Sequence, residues 1–174
     1  KPPSDHPSGV VHVDDLEFYK ANVLPNGGFE EGKDQPRNWQ ITGRITLQTE
    51  TVLEGSRTVR LQRNEGQRPF PQAASRRFRI EDGLWELRGA LKSQELKSPD
   101  PSYNVAAKLE IFDKNGGRIA SRQFAHVAGT TPWKRFRKRW RVPEKAYTGR
   151  LVVRMHKTHG TGWVDALSVT RVHR

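Results

Sequence analysis

The chain has 174 residues, enough for one domain with a single core and too few for two comfortable ones. Its 31 Lys and Arg outnumber 19 Asp and Glu for a net charge of +12, so its field favours acidic partners. Cysteine is absent, which excludes disulfides, thiolate metal sites and cysteine nucleophiles.

Residues 1–9, KPPSDHPSG, are rich in Pro and Ser and read as a linker. The next stretch, VHVDDLEFYK at 11–20, alternates like a strand and echoes GWVDALSVTR at 162–171. Val13-Asp14-Asp15-Leu16 aligns with Val164-Asp165-Ala166-Leu167, and Lys20 with Arg171. The echo points to tandem modules: 1–21 as a linker and the last strand of a preceding module, and 22–174 as a module of its own. NVLPNGGFEEG, at 22–32, then sets Phe29, Glu30 and Glu31 directly after an Asn-Gly-Gly turn. Either this is a turn leading into a strand with Phe29 inward, or a carboxylate is held there for a cation.

Alternating segments follow in quick succession: 44–50, 57–63, 75–81, 84–94, 104–113, 118–127, 134–142, 149–157 and 162–172. Explicit turns separate them, such as Asn64-Glu65-Gly66, Glu81-Asp82-Gly83 and Asn115-Gly116-Gly117. No segment keeps an apolar period of 3.6 residues for three turns. Short strands at this spacing predict an all-β antiparallel β-sandwich, with a barrel as the alternative. No apolar run approaches the roughly 20 residues that span a bilayer. No leader pattern opens the chain, so it reads as a mature fragment.

The ordered phrases NVLPNGGFEEG, PRNWQ, VLEGSRTVRLQ, LWELRGALKS, LEIFDKNGGRIAS, TTPWKRF, VPEKA and GWVDALSV cover residues 22 to 172. Together they resemble the carbohydrate-binding modules of the galactose-binding-like jelly-roll type. The resemblance implies a noncatalytic β-sandwich that binds polysaccharide within a larger secreted or cell-surface protein, beside neighbouring modules of the same polypeptide. It also implies a structural calcium. In such modules the acid of the GFE phrase and the first acid of the closing VDD phrase converge with carbonyls of the EGSRT turn. Here those positions are Glu30, with the Gly28 carbonyl beside it, Asp165, and the turn from Glu54 to Arg57. The chain departs from the pattern at Ala166, where the second acid is usual.

Sugar recognition by such modules stacks aromatic rings on pyranose faces. Trp39, Trp85, Trp133 and Trp163 resemble framework positions, which leaves Phe70, Tyr103, Phe124 and Trp140 as candidate platforms. The most informative polar feature is WKRFRKRWRV, 133–142. On a strand, Phe136, Lys138 and Trp140 share one face, and Arg135, Arg137, Arg139 and Arg141 share the other. Such a guanidinium stripe suits bidentate contact with carboxylate or sulfate, so an anionic polysaccharide is the expected partner. Few acids interleave in the segment itself, and Arg77, Arg79, Arg150 and Arg154 are candidates to extend the patch. Phosphate attraction needs only such a stripe, but no nucleic-acid motif accompanies it, which sets nucleic acid behind glycan. An interaction module without a glycan site and a nonspecific polyanion binder are the alternatives.

Enzyme signatures are weak. His156, His159, Asp165 and Ser168 lie near one another in sequence, but no strained nucleophile turn accompanies them. Glu50, Glu54, Glu86 and Glu110 offer carboxylates with nothing to single out a glycosidase pair.

Overall fold

The computed structural model describes residues 21–100 and 104–172. The 11–20 echo strand and Tyr103 lie outside them. Eleven strands form: β1 (Trp39–Thr42), β2 (Ile45–Gln48), β3 (Thr58–Arg63), β4 (Gln72–Ser75), β5 (Phe78–Arg79), β6 (Gly83–Lys97), β7 (Val105–Phe112), β8 (Arg118–Val127), β9 (Thr131–Val142), β10 (Thr148–Met155) and β11 (His159–Arg171). There is no helix among the described residues. The first sheet runs β1-β4-β10-β7-β8, with β5 also paired to β10, and the second runs β2-β3-β11-β6-β9. All pairings are antiparallel, so the expected all-β sandwich forms.

Alternation explains the layers. Val105, Ala107, Leu109 and Ile111 of β7 share one side of that strand with Leu151, Val153 and Met155 of β10 across the register, and all are buried. From the second sheet come Val59 and Leu61 of β3, Leu87 and Leu91 of β6, and Val164 and Val169 of β11. These two inward faces make one continuous core. Phe29 is completely buried and packs on Trp39, with ring centroids 5.1 Å apart. The turn before it therefore delivers an aromatic to the core, as expected, but no strand follows directly: residues 30–38 form a loop with a single bridge between Gly32 and Pro36.

Two short strands were not expected from the sequence. β1 is four residues long and begins after Asn38, whose φ is 68°. β4, Gln-Ala-Ala-Ser, has no β-branched or aromatic residue, so the usual strand signal is missing. It forms because it is inserted between β1 and β10, where Ala73 and Ala74 are both buried. The 75–81 segment keeps only β5, Phe78–Arg79, as a strand. Strand order also corrects the extended basic patch: β9 belongs to the second sheet, whereas β5 and β10 belong to the first. Arg79, Arg150 and Arg154 thus join a different sheet from Arg135 and Arg137. Arg77, just before β5, instead lays its guanidinium 3.7 Å from the centroid of the Phe112 ring on β7.

Candidate functional site

β9 is the edge strand of the second sheet and pairs only with β6 along its length. Its register sets Arg135 opposite Ala90, Arg137 opposite Arg88, and Arg139 opposite Glu86. The alternating face read from the sequence is therefore real, and Arg135, Arg137, Arg139 and Arg141 are all exposed. Its chemistry differs from the expectation in one respect. Glu86, from the neighbouring strand, sits among these guanidinium groups with only 3% of its surface exposed. It accepts Nε–H bonds from Arg88 at 2.6 Å, Arg137 at 2.8 Å and Arg139 at 3.0 Å. Burial alone would raise its pKa, but the hydrogen bonds from Arg137, Arg139 and Arg88 outweigh that and hold it at about 2. Arg135 pairs with Glu54. Acids do interleave with the stripe, then, but they arrive from other strands, where a reading of one segment cannot see them.

Along the same edge, β9 borders a cleft of about 660 Å³ lined by residues of both its faces. β8, the edge of the first sheet, forms its opposite wall, so it opens where the two sheets gape at one side of the sandwich. Lys134, Arg135, Arg137, Lys138 and His126 line it together with Phe124 and Phe136, and no Asp or Glu does. Three of the residues singled out in the sequence, Phe124, Arg135 and Arg137, thus meet in one cleft. Arg139 and Trp140 lie just beyond, further along β9.

The aromatic candidates fare unevenly. Phe124 is only 7% exposed and packs on the half-buried Trp140, with centroids 5.8 Å apart. Reading Phe124 as an exposed platform is therefore corrected: it falls at a bulge in β8 and packs into the core. Phe70 lies far from this cleft, beside Arg63 and Arg68, whose guanidinium carbons are 4.6 and 4.1 Å from its ring centroid. These cations already occupy the ring. Of the expected framework tryptophans, Trp39, Trp85 and Trp163 are buried, and Trp133 is half-buried.

Glu30 and Asp165 do converge on the turn that precedes β3. Glu30 Oε1 accepts the N–H of Ser56 at 3.0 Å and of Arg57 at 3.2 Å, and Oε2 accepts the Ser56 hydroxyl at 2.5 Å. The Ser56 hydroxyl is the main reason its pKa falls. The approach needs Gly55: at its φ of 70°, an added Cβ would lie 2.3 Å from Glu30 Oε1. Asp165, completely buried, accepts the N–H of Leu53 at 2.9 Å and Glu54 at 3.2 Å through Oδ2, and of Ala166 at 2.6 Å through Oδ1. Burial pushes its pKa up despite these donors. The Arg57 guanidinium reaches the Gly32 carbonyl. In this arrangement the turn offers both acids N–H donors, which fits a hydrogen-bonded clamp between chain segments. Calcium needs six to eight oxygens. Among the described residues no third His, Cys, Asp or Glu joins the two. An ion there would draw the remainder from carbonyls such as that of Gly28.

A second buried acid was missed by sequence reading. Glu110 on β7 is 2% exposed and receives Lys108 at 2.7 Å, Arg150 at 2.6 Å and Arg118 at 3.2 Å. Again burial opposes ionisation, and the Lys108 and Arg150 hydrogen bonds reverse it, giving a pKa of about 2. The alternation of LEIF marks Glu110 as outward-facing. Lys108 is its neighbour two positions back on β7, but Arg118 and Arg150 come from β8 and β10, so only the fold reveals the full cluster.

No protein-family model matches the chain, and no curated protein matches it. Solved structures do resemble it. One is the enzymatically active domain of tailspike protein 4 from bacteriophage CBA120, with a TM-score of 0.67 and 15% identity; the match covers 87% of this chain but only 21% of that one. A family 16 carbohydrate-binding module gives 0.60 and 14% identity, over 86% of this chain and 100% of that one. The family 61 module TmCBM61, solved with β-1,4-galactotriose, gives 0.55 and 17% identity, over 87% of this chain and 99% of that one. The chain therefore has the β-sandwich fold of these carbohydrate-binding modules.

Proposed function

We propose that the chain is a noncatalytic module that binds polysaccharide, and that its ligand is anionic. One observation carries the reading: the cleft between β8 and β9 has four Lys and Arg side chains and a histidine in its lining, and no carboxylate. Around it Glu86 fixes Arg137 and Arg139 by their Nε–H groups. Their terminal nitrogens stay exposed, because each of these two arginine side chains is more than half exposed. A carboxylate or sulfate of a glycan chain can take those donors without first ordering the side chains. Solved modules of the same fold, among them one solved with galactotriose, support polysaccharide as the ligand class.

Catalysis is disfavoured on physical grounds. A glycosidase needs a carboxylic acid that holds its proton near neutral pH. Both outward-facing buried glutamates are held ionised, with pKa values of about 2, and they lie on different sheets. Residence in a larger secreted or cell-surface protein is part of the same proposal.

Substituting Arg137 and Arg139 together by glutamine tests the reading. Retardation in polygalacturonate or dextran sulfate gels should weaken about tenfold at moderate salt, from the loss of two charge-assisted contacts. Unchanged retardation would reduce the stripe to a solvated face. Equal retardation of the parent protein by every polyanion, DNA included, and its loss at moderate salt would favour nonspecific attraction.

Calcium at Glu30 and Asp165 is part of the proposal, supported by the convergence of both acids on one turn. Adding calcium to chelator-treated protein should raise Tm by several degrees, and Glu30→Ala should abolish that response. A Tm indifferent to both calcium and chelator would leave the hydrogen-bonded clamp as the whole of the site.

A further inference from the structure

The outer face of the second sheet carries a second groove, remote from the β8–β9 cleft. Its volume is about 500 Å³, and β2, β3, β11 and the far end of β6 supply its floor and walls. Register places Thr46, Arg60, Trp163 and Lys92 in one row across four strands, all on the solvent side. Gln48 lies one outward position further along β2 from Thr46.

Three donors of this face are buried and have no hydrogen-bond partner: Gln48 Nε2, Arg60 Nε and Trp163 Nε1. Trp163 is only 6% exposed. An unpaired buried donor costs free energy, and native folds seldom carry such groups without a reason. Three of them line a single groove here. The ring of Trp163 is not a free stacking surface, because Lys92 Nζ sits 5.2 Å from its centroid.

Charge distinguishes this groove from the first. Its lining holds Arg60, Arg63 and Lys97 against Glu50, Glu65 and Glu95, so the formal charges balance with histidine neutral. Arg63 is moreover occupied, donating to the carbonyls of Gln67 and Thr158. Balanced charge gives an anion little reason to enter. A sugar hydroxyl both accepts and donates, and the groove offers both partners: unpaired N–H donors within and carboxylates at the rim.

We propose that this groove is a second glycan site, taking an uncharged, hydroxyl-rich sugar ring whose oxygens accept from Gln48, Arg60 and Trp163. The groove and its donors stand independently, while the choice of sugar as ligand rests on the polysaccharide reading above. The module would then grip a neutral stretch of glycan on one face and an acidic one at its open edge.

Affinity electrophoresis of the whole chain in xylan, β-1,4-galactan, glucomannan and β-glucan gels at about 1 M NaCl tests it, since the Debye length there is ~3 Å and the basic edge is screened. At least one of these neutral polymers should retard the parent protein. Gln48→Leu, Arg60→Met and Trp163→Phe should each weaken that retardation about three- to tenfold, the effect of losing one hydrogen bond. A second readout separates binding from structure: Gln48→Leu and Arg60→Met should leave Tm unchanged or raise it, because each removes a buried donor with no partner. A fall in Tm with both would make the donors structural and overturn the proposal. So would neutral-glycan retardation identical in all three variants. Retention by acidic gels alone would overturn the groove and leave the β8–β9 cleft standing, and retention by none would end both readings.

Discussion

Phe29→Ala lowers the stability of the fold by about 3–5 kcal/mol, the cost of truncating a fully buried phenylalanine. The ring is completely enclosed, in contact with Trp39, and belongs to the main core. Collapse around the missing ring is hindered on two sides. The Trp39 indole donates to the Asn26 carbonyl at 3.1 Å, which fixes it against the turn. The Asn26 side chain in turn donates to the carbonyls of Glu31 and Arg37, both at 2.9 Å, and so closes the loop that carries Phe29. Phe29 also has a φ of 61°, so alanine inherits an unfavourable backbone with none of the packing. Urea unfolding of parent and variant measures the difference. A loss under 1 kcal/mol would mean that the turn, and not the ring, is what this stretch contributes.

The second large effect is on acid stability. Glu86 and Glu110 have folded pKa values of about 2 against ordinary values of 4.5. A depressed folded pKa gives stability that is present above the unfolded value and is lost as pH falls through the folded one. Stability should therefore drop between about pH 4.5 and pH 2. At 1.36 kcal/mol per pKa unit the two acids could contribute ~3 kcal/mol each, and solvent screening by their exposed arginine partners reduces that to ~1–2. Asp165 acts with the opposite sign. Its raised folded pKa means that protonation relieves the burial penalty, so it offsets part of the loss as pH falls through the acid range. The double variant Glu86→Gln, Glu110→Gln should be less stable at pH 7 and flatter in acid. Parallel pH profiles for parent and variant would show that the two cation clusters contribute nothing to folding.

Much of the fold was legible because the core strands announce themselves. β7 and β10 keep a regular register, and explicit turns punctuate the strand series. β4 stayed hidden because Gln-Ala-Ala-Ser carries no strand preference, and β1, though Trp, Ile and Thr favour strands, because four residues are too few to show a period. Phe124 was misplaced because it falls at a bulge, which no sequence period encodes. The β9 stripe was readable as a period of two, while its neutralising partner Glu86 was not. Strand order brings that glutamate 53 positions in sequence to Arg139. Buried orphan donors such as Trp163 Nε1 are less legible still, since a tryptophan on a strand looks the same whether or not its N–H finds an acceptor.

The position of β9 bears on self-association as well. A 12-residue strand at the margin of a sheet leaves one row of backbone groups unpaired, an invitation to a second copy to continue the ladder. Eight of those residues, from Lys134 to Arg141, include six cations, so two such margins repel each other before they can zip together. Filling the stripe with a polyanion cancels that repulsion. On the proposed reading of an anionic ligand, a long acidic chain would gather copies side by side along one polymer, margin to margin.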